Sequence, residues 1–524
     1  MKKILALTLL ACAAAFPALA QHTKQNHAVR FEQLGPMLRT PNVYRTASGA
    51  PGHLYWQQQA NYVIDVELDD ANQSIKGKET VTYINNSPDA LTYLWLQLDQ
   101  NNRGKDSDTP KVTESSITPK MSLRTLEGIL WHSDDYDVKI LSIQDASGKP
   151  LNVAINKTMM RIDLPQPLKA GETVQFSIDW SFNITDRVGY IGGRPGYEYF
   201  PKDGNYLYTM AEWFPRMAVY SDFQGWQNKQ FLGQGEFALT FGNYEVRITV
   251  PADHMVGATG VLQNPEEVLS ATELQRWNKA KQTYDAPVVI RTQAEAEALE
   301  KKKAPGKKTW IFKADNVRDF AWTSSRKFIW DAMAVKQGGK DVMAMSYYGK
   351  EGNPLWEQYS TRVVAHTLKS YSSHTFDYPY PTAISVEGSN GMEYPMICFN
   401  YGRPDADGTY SDAIKYGMIS VIIHEVGHNY FPMIVNSDER QWTWMDEGLN
   451  TFMQFMAEQE WDRNYPSRRG PAHKIVPYMK SEKHLLEPIM TNSENIIQFG
   501  PNAYAKPATA LNILRETVMG RDLF

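Results

Sequence analysis

The sequence predicts a multidomain α+β chain. An N-terminal antiparallel, sandwich-like β domain covers residues 51–313, and a mixed α/β domain covers 314–524. Three observations carry this reading. Apolar and polar residues alternate in several runs before residue 313, as at Tyr62, Ile64, Val66 and Leu68, at Val174, Phe176, Ile178 and Trp180, and at Tyr244, Val246, Ile248 and Val250. Turn chemistry separates such runs: Asp69-Asp70, Asn85-Asn86-Ser87-Pro88, Asp145-Ala146-Ser147-Gly148 and Ala170-Gly171. From Trp356 helical spacing enters, with Val363, Val364, Thr367, Leu368 and Tyr371 on one side.

Taken in order, Met1 to Ala20 reads as a secretory signal. Lys2 and Lys3 form the basic start, Ile4 to Phe16 the apolar core, and Ala18-Leu19-Ala20 a small-x-small cleavage site. The apolar run is short for a bilayer span, so the expectation is a soluble exported protein, periplasmic or extracellular, with no transmembrane segment. A rival is a lipid anchor through Cys12, because Leu9-Leu10-Ala11-Cys12 loosely resembles a lipoprotein box; bulky Leu10 and the apolar residues that follow fit it poorly. Loss of the signal leaves Cys398 as the single cysteine, which excludes an internal disulfide. It also takes the basic count from 54 to 52 against 59 acids, a net charge of −7 that argues against nucleic acid as a partner.

Residues 21–50, with polar residues and scattered prolines, read as an extended lead-in. The glycine-rich stretch Gly189 to Gly196 lacks phosphate-loop spacing and its lysine, and reads as a turn. Residues 265–308, rich in Glu, Lys, Gln and Ala, read as a charged helical insertion. In the second domain Trp356 to Phe376 is a helix, ended by Asp377-Tyr378-Pro379-Tyr380-Pro381. Ala383 to Asn400 follows as strand, turn, strand. A last helix runs from Pro507 to Met519, with proline in its first turn and Gly520 just past its end.

The chemistry concentrates in Val421 to Gly448. His424-Glu425-Val426-Gly427-His428 puts two histidines four apart, on one face of the helix announced by Ile414, Met418, Ile419, Val421, Ile422 and Ile423. Glu425 lies at the edge of that face, able to reach a water without being a ligand. Pro432 stops the helix. A second begins at Glu447, with Leu449, Phe452, Met453, Phe455 and Met456 at helical spacing. A helical histidine pair alone is commonly a surface or core feature; a glutamate placed after a helix break completes a three-ligand set. His424, His428 and Glu447 then hold one Zn2+ ion and leave a fourth position open, the arrangement of a catalytic zinc, although cobalt or manganese can substitute.

The order His-Glu-x-x-His and then Glu447 within Trp444-Met445-Asp446-Glu447-Gly448 resembles the gluzincin metallopeptidases, specifically the M1 aminopeptidases. Asn390-Gly391-Met392-Glu393-Tyr394 upstream and Tyr504-Ala505-Lys506-Pro507-Ala508 downstream make the resemblance specific. It implies a thermolysin-like catalytic domain behind a β-rich one, and peptides with a free N-terminus as substrates. Glu425 becomes the general base and Tyr504 the donor that stabilises the oxyanion. Gly391, Met392 and Glu393 bind substrate, with Glu393 holding the α-amino group and Gly391 admitting the substrate backbone. Members usually continue into a C-terminal helical domain, so a chain stopping at Phe524 is expected to be truncated. Asn390, Tyr394, Pro507 and Asp446 depart from the usual pattern, which puts the amine-site geometry and the substrate preference in question. Glu212 is a weaker candidate for a second carboxylate from the β domain. Two alternatives stay open: a gluzincin endopeptidase, or a non-catalytic peptide-binding protein.

Overall fold

The computed structural model describes residues 41–112, 120–123, 126, 136–188 and 193–524. The signal segment with Cys12, the lead-in before residue 41 and the first half of the Gly189–Gly196 stretch lie outside the described residues.

A seven-stranded sheet carries the alternating runs. Its order is Val261–Leu262, Lys307–Val317, Gly242–Pro251, Gln59–Asp69, Ser74–Ile84, Thr173–Asn183 and Lys139–Asp145. In Gln59–Asp69, Tyr62, Ile64, Val66 and Leu68 are buried, while Val63, Asp65 and Glu67 face solvent. One burial face per strand is what alternation encodes. The sheet is not wholly antiparallel, as the sequence suggested: Gln59–Asp69 and Gly242–Pro251 run parallel, with Tyr62 opposite Tyr244. Their rings stack 4.6 Å apart. A five-stranded, a four-stranded and a two-stranded sheet complete the β-rich region among the described residues.

The sheet that positions the site has six strands, in the order Val288–Arg291, Ile329–Gln337, Lys340–Tyr348, Thr382–Glu387, Ile397–Asn400 and Met392–Tyr394. It is mixed, with parallel pairs on both sides of Thr382–Glu387. Met392–Tyr394 is its edge, paired antiparallel to Ile397–Asn400 alone. Val288–Arg291 comes from the stretch read as a charged helical insertion, which contains this strand between the helices Ala271–Ala280 and Gln293–Lys301. The expected boundary at 313/314 falls inside the strand Lys307–Val317.

The helix Leu355–His374 packs on this sheet and against the helix Asp412–Gly427, which also packs on Ile397–Asn400. Ser411 caps the latter, its hydroxyl accepting from the Ile414 amide. No helix among the described residues is long and apolar enough to cross a membrane.

Candidate active site

His424 and His428 sit at the C-terminal end of the helix Asp412–Gly427, with His428 as the cap residue, still in helical conformation. Glu447 arrives from a π-type turn, Trp444–Gly448, that feeds the helix Leu449–Trp461, rather than from that helix's first residue. Tyr504 lies in a second π-type turn, Gly500–Ala505, packed against the first. Such turns shift the register of a helix by one residue and frequently sit at functional sites.

The three predicted ligand atoms converge. His424 Nε2 lies 2.9 Å from Glu447 Oε2 and 3.1 Å from His428 Nε2, and His428 Nε2 lies 3.4 Å from Glu447 Oε2. Bonds of about 2.0–2.2 Å to a tetrahedral zinc put ligand atoms about 3.3–3.6 Å apart, so the observed triangle is within about half an ångström of that size. The donor set suits a divalent metal: two imidazole nitrogens, a carboxylate and no thiol.

Each histidine is held through its other ring nitrogen. His428 Nδ1 is 2.9 Å from Asp446 Oδ1 and 2.9 Å from the Phe431 carbonyl, and His424 Nδ1 is 2.9 Å from Gln454 Oε1. Fixing Nδ1 in this way turns Nε2 toward the centre. Asn450 joins the two helices, donating to the His424 carbonyl at 2.8 Å while accepting from the Tyr371 hydroxyl at 2.8 Å. A side chain at Gly427 would strike that hydroxyl at 2.2 Å, which explains a glycine between the two histidines.

Negative charge crowds the centre. Glu393, Glu425 and His428 offer ligand-type atoms that all lie within 4.8 Å of one another. Glu425 Oε2 and Glu393 Oε1 are buried without a hydrogen-bond partner. Burial, reinforced by Glu393, pushes the Glu425 carboxyl well above its usual range. Burial and Glu393 also push Glu236 up to about 8, against the pull of Arg194. For Glu447 burial raises the carboxyl, but hydrogen bonds and charge from both histidines outweigh it and hold it low. Burial and the Glu447 charge push the Tyr504 hydroxyl well up, so it stays protonated and donates to Glu447 Oε1 at 2.5 Å. A cluster this acidic, with orphaned carboxylate oxygens, is chemically matched to a cation. These residues line a cleft of about 280 Å³.

Comparison with solved structures bears on the fold. An M1 zinc metallopeptidase from Deinococcus radiodurans aligns with a TM-score of 0.53 at 15% identity, covering 89% of this chain and 84% of that one. The fold is M1-like. A mutant of that enzyme bound to the substrate Tyr-Ser-Ala aligns with a TM-score of 0.53 at 15% identity, over 90% of this chain and 86% of that one. A two-domain M1 zinc metallopeptidase mutant bound to L-arginine gives 0.54 at 15% identity, over 89% and 84%. No family model matches the sequence, and no curated protein matches it.

The eight residues singled out from sequence are brought together at this one cleft: Gly391, Met392, Glu393, His424, Glu425, Glu447 and Tyr504 line it, and His428 Nε2 lies 3.1 Å from His424 Nε2. The structure adds a reason for glycine at position 391. A Cβ at Gly391 would lie 2.8 Å from Glu425 Oε1 and 2.9 Å from Val421 Cγ2, so the glycine makes room for the glutamate on the neighbouring helix. Glu393, on the edge strand, is only 2% exposed. Glu212 is engaged elsewhere, 3.7 Å from Arg194 Nε and accepting from the Tyr394 hydroxyl at 3.2 Å. Sequence reasoning missed Glu236, Arg468 and Arg469 in the cleft lining and the part played by Asp446. Only for Asp446 was there a local signal, its place beside Glu447.

Proposed function

We propose that this chain is an exported zinc aminopeptidase that removes N-terminal residues from peptides. The observation that carries the reading is the convergence of His424 Nε2, His428 Nε2 and Glu447 Oε2 at 2.9–3.4 Å, with unpartnered oxygens of Glu425 and Glu393 beside them. The M1-like fold supports it, as does a neighbour described as bound to a tripeptide substrate. Export rests on Met1 to Ala20.

His424, His428 and Glu447 would hold a zinc ion, which would supply a Lewis acid able to polarise a carbonyl and acidify water. Glu425 takes the proton of the attacking water and passes it to the leaving amine. Glu393 receives the substrate's α-ammonium group, which neutralises its buried charge and fixes the first peptide bond over the ligands. Tyr504 carries its proton toward the carbonyl oxygen as charge develops there, a contribution on the order of 3 kcal/mol. The Phe431 carbonyl and Gln454 hold the imidazoles in the required tautomers, with Asp446 beside the His428 ring.

The test compares a fluorogenic aminoacyl amide with its N-acetylated twin, each with and without chelator. The reading requires cleavage of the free amine, abolished by chelator and restored by zinc, with little cleavage of the acetylated form. Equal cleavage of both would select an endopeptidase, and no metal-dependent cleavage would leave a peptide binder.

A further inference from the structure

The cleft has walls of opposite charge. Glu393 lies on the His428 side, 3.9 Å from His428 Nδ1. Arg469 lies beside Tyr504. Its guanidinium sits 4.2 Å over the Tyr504 ring, which stacks on His424 at 5.8 Å. Arg468, next along the chain, is exposed and lines the same cleft.

Neither guanidinium has a carboxylate within 4 Å among the described residues. Nearby arginines differ: Arg194 pairs with Glu236, Arg318 with Glu439 and Arg440 with Asp99. Glu458 attracts Arg469, but its oxygens are taken by Ser420, Gln454 and Ser467. Two guanidiniums from consecutive residues, both lining the cleft and neither paired with a carboxylate, offer the planar donor forks that bind carboxylates.

Building on the aminopeptidase reading, we propose that Arg468 and Arg469 form a subsite for a substrate carboxylate on the leaving-group side of the scissile bond. With the α-amino group at Glu393 and the first carbonyl at the ligands, the chain continues toward Tyr504 and the arginines. An extended residue spans about 3.3–3.6 Å, so the terminal carboxylate of a dipeptide or tripeptide falls one or two such steps beyond the scissile carbon. A cleft of about 280 Å³ is the size for so short a peptide. The same chemistry admits an acidic side chain directly after the cleaved bond.

The experiment uses the full chain loaded with zinc and three substrates: the tripeptide Leu-Ala-Ala as free acid, its C-terminal amide, and Leu-Asp-Ala amide. The free acid should exceed its amide in kcat/KM by about tenfold or more, mostly through KM, the scale of one charge-assisted hydrogen bond. The Leu-Asp-Ala amide tells the source: recovery to the free-acid level assigns the subsite to side-chain carboxylates as well, and a value equal to the neutral amide assigns it to the chain terminus alone. In Arg468→Gln and in Arg469→Gln the acid-to-amide ratio should fall toward one. The ratio is the readout because Arg469 touches Tyr504, so its absolute rates can change for that reason. Wild-type cleavage of all three at equal kcat/KM overturns the subsite and leaves the aminopeptidase reading standing. Failure to cut any of them, or equal cutting of N-acetylated Leu-Ala-Ala, overturns both.

Discussion

Replacing Gly391 with alanine adds one methyl group where the structure has no room for it. The new carbon would stand 2.8 Å from Glu425 Oε1 and 2.9 Å from Val421 Cγ2. Ordinary carbon–oxygen and carbon–carbon contacts are about 3.5–4.0 Å, so something must give by roughly 0.7 Å or more. Val421 belongs to the ligand helix, which is packed against two helices and the six-stranded sheet, so the Glu425 carboxylate is the softer partner. Displacing a general base by that much costs on the order of 10²-fold in rate. Overpacking should also remove about 1–3 kcal/mol of stability. None of the three metal-ligand atoms is struck, so zinc should stay at one per chain. The assay is kcat for a free-amine aminoacyl amide, alongside zinc by elemental analysis and a thermal melt. A kcat within twofold of wild type in the folded, zinc-loaded variant would show that Glu425 is not confined by the edge strand, and the argument would fail.

Three further perturbations follow from the same geometry. Glu425→Gln should keep the metal and lose at least ~10²-fold in kcat, and near-normal turnover would remove it as the base. Asp446→Asn, which weakens the partner of His428 Nδ1, should reduce zinc affinity about 10–100-fold in chelator competition; unchanged affinity would mean that the Phe431 carbonyl alone orients the ring. His254 tests pH dependence away from the site. Burial and then Arg326 push its imidazole down to about 3, whereas an unfolded histidine titrates near 6.5. Between those values the unfolded chain binds a proton that the native chain refuses, so stability falls as pH drops below about 6.5, by roughly 2 kcal/mol at pH 5 from this residue. His254→Asn should flatten the denaturation midpoint over pH 5–6.5, and an unaltered slope would refute the assignment.

How legible the protein was in its sequence depends on how local each signal is. Tyr62 to Leu68 announced a strand because one buried face imposes a period of two, and the histidine pair announced a site because four residues make one helical turn. The parallel pairing of Tyr62 with Tyr244 left no trace, since alternation looks the same whichever way the neighbour runs. The strand Val288–Arg291 was hidden among the charged helices flanking it, and its partner at Ile329–Gln337 is distant in sequence. Glu447 and Tyr504 were found from motifs, but not the π-type turns that present them, because one extra residue in a helical turn does not alter composition. Glu236 and Arg469 reach the cleft from separate segments, and nothing beside them in the chain marks them as members.

The central claim is that two imidazoles and one carboxylate hold a single zinc. X-ray absorption of the zinc-loaded protein measures this directly. The account predicts two nitrogen scatterers at about 2.0–2.1 Å, oxygen at about 2.0–2.2 Å and no sulfur at about 2.3 Å, with the signal lost in His424→Ala and in Glu447→Ala. A sulfur shell, or full zinc with an unchanged spectrum in either variant, would contradict it.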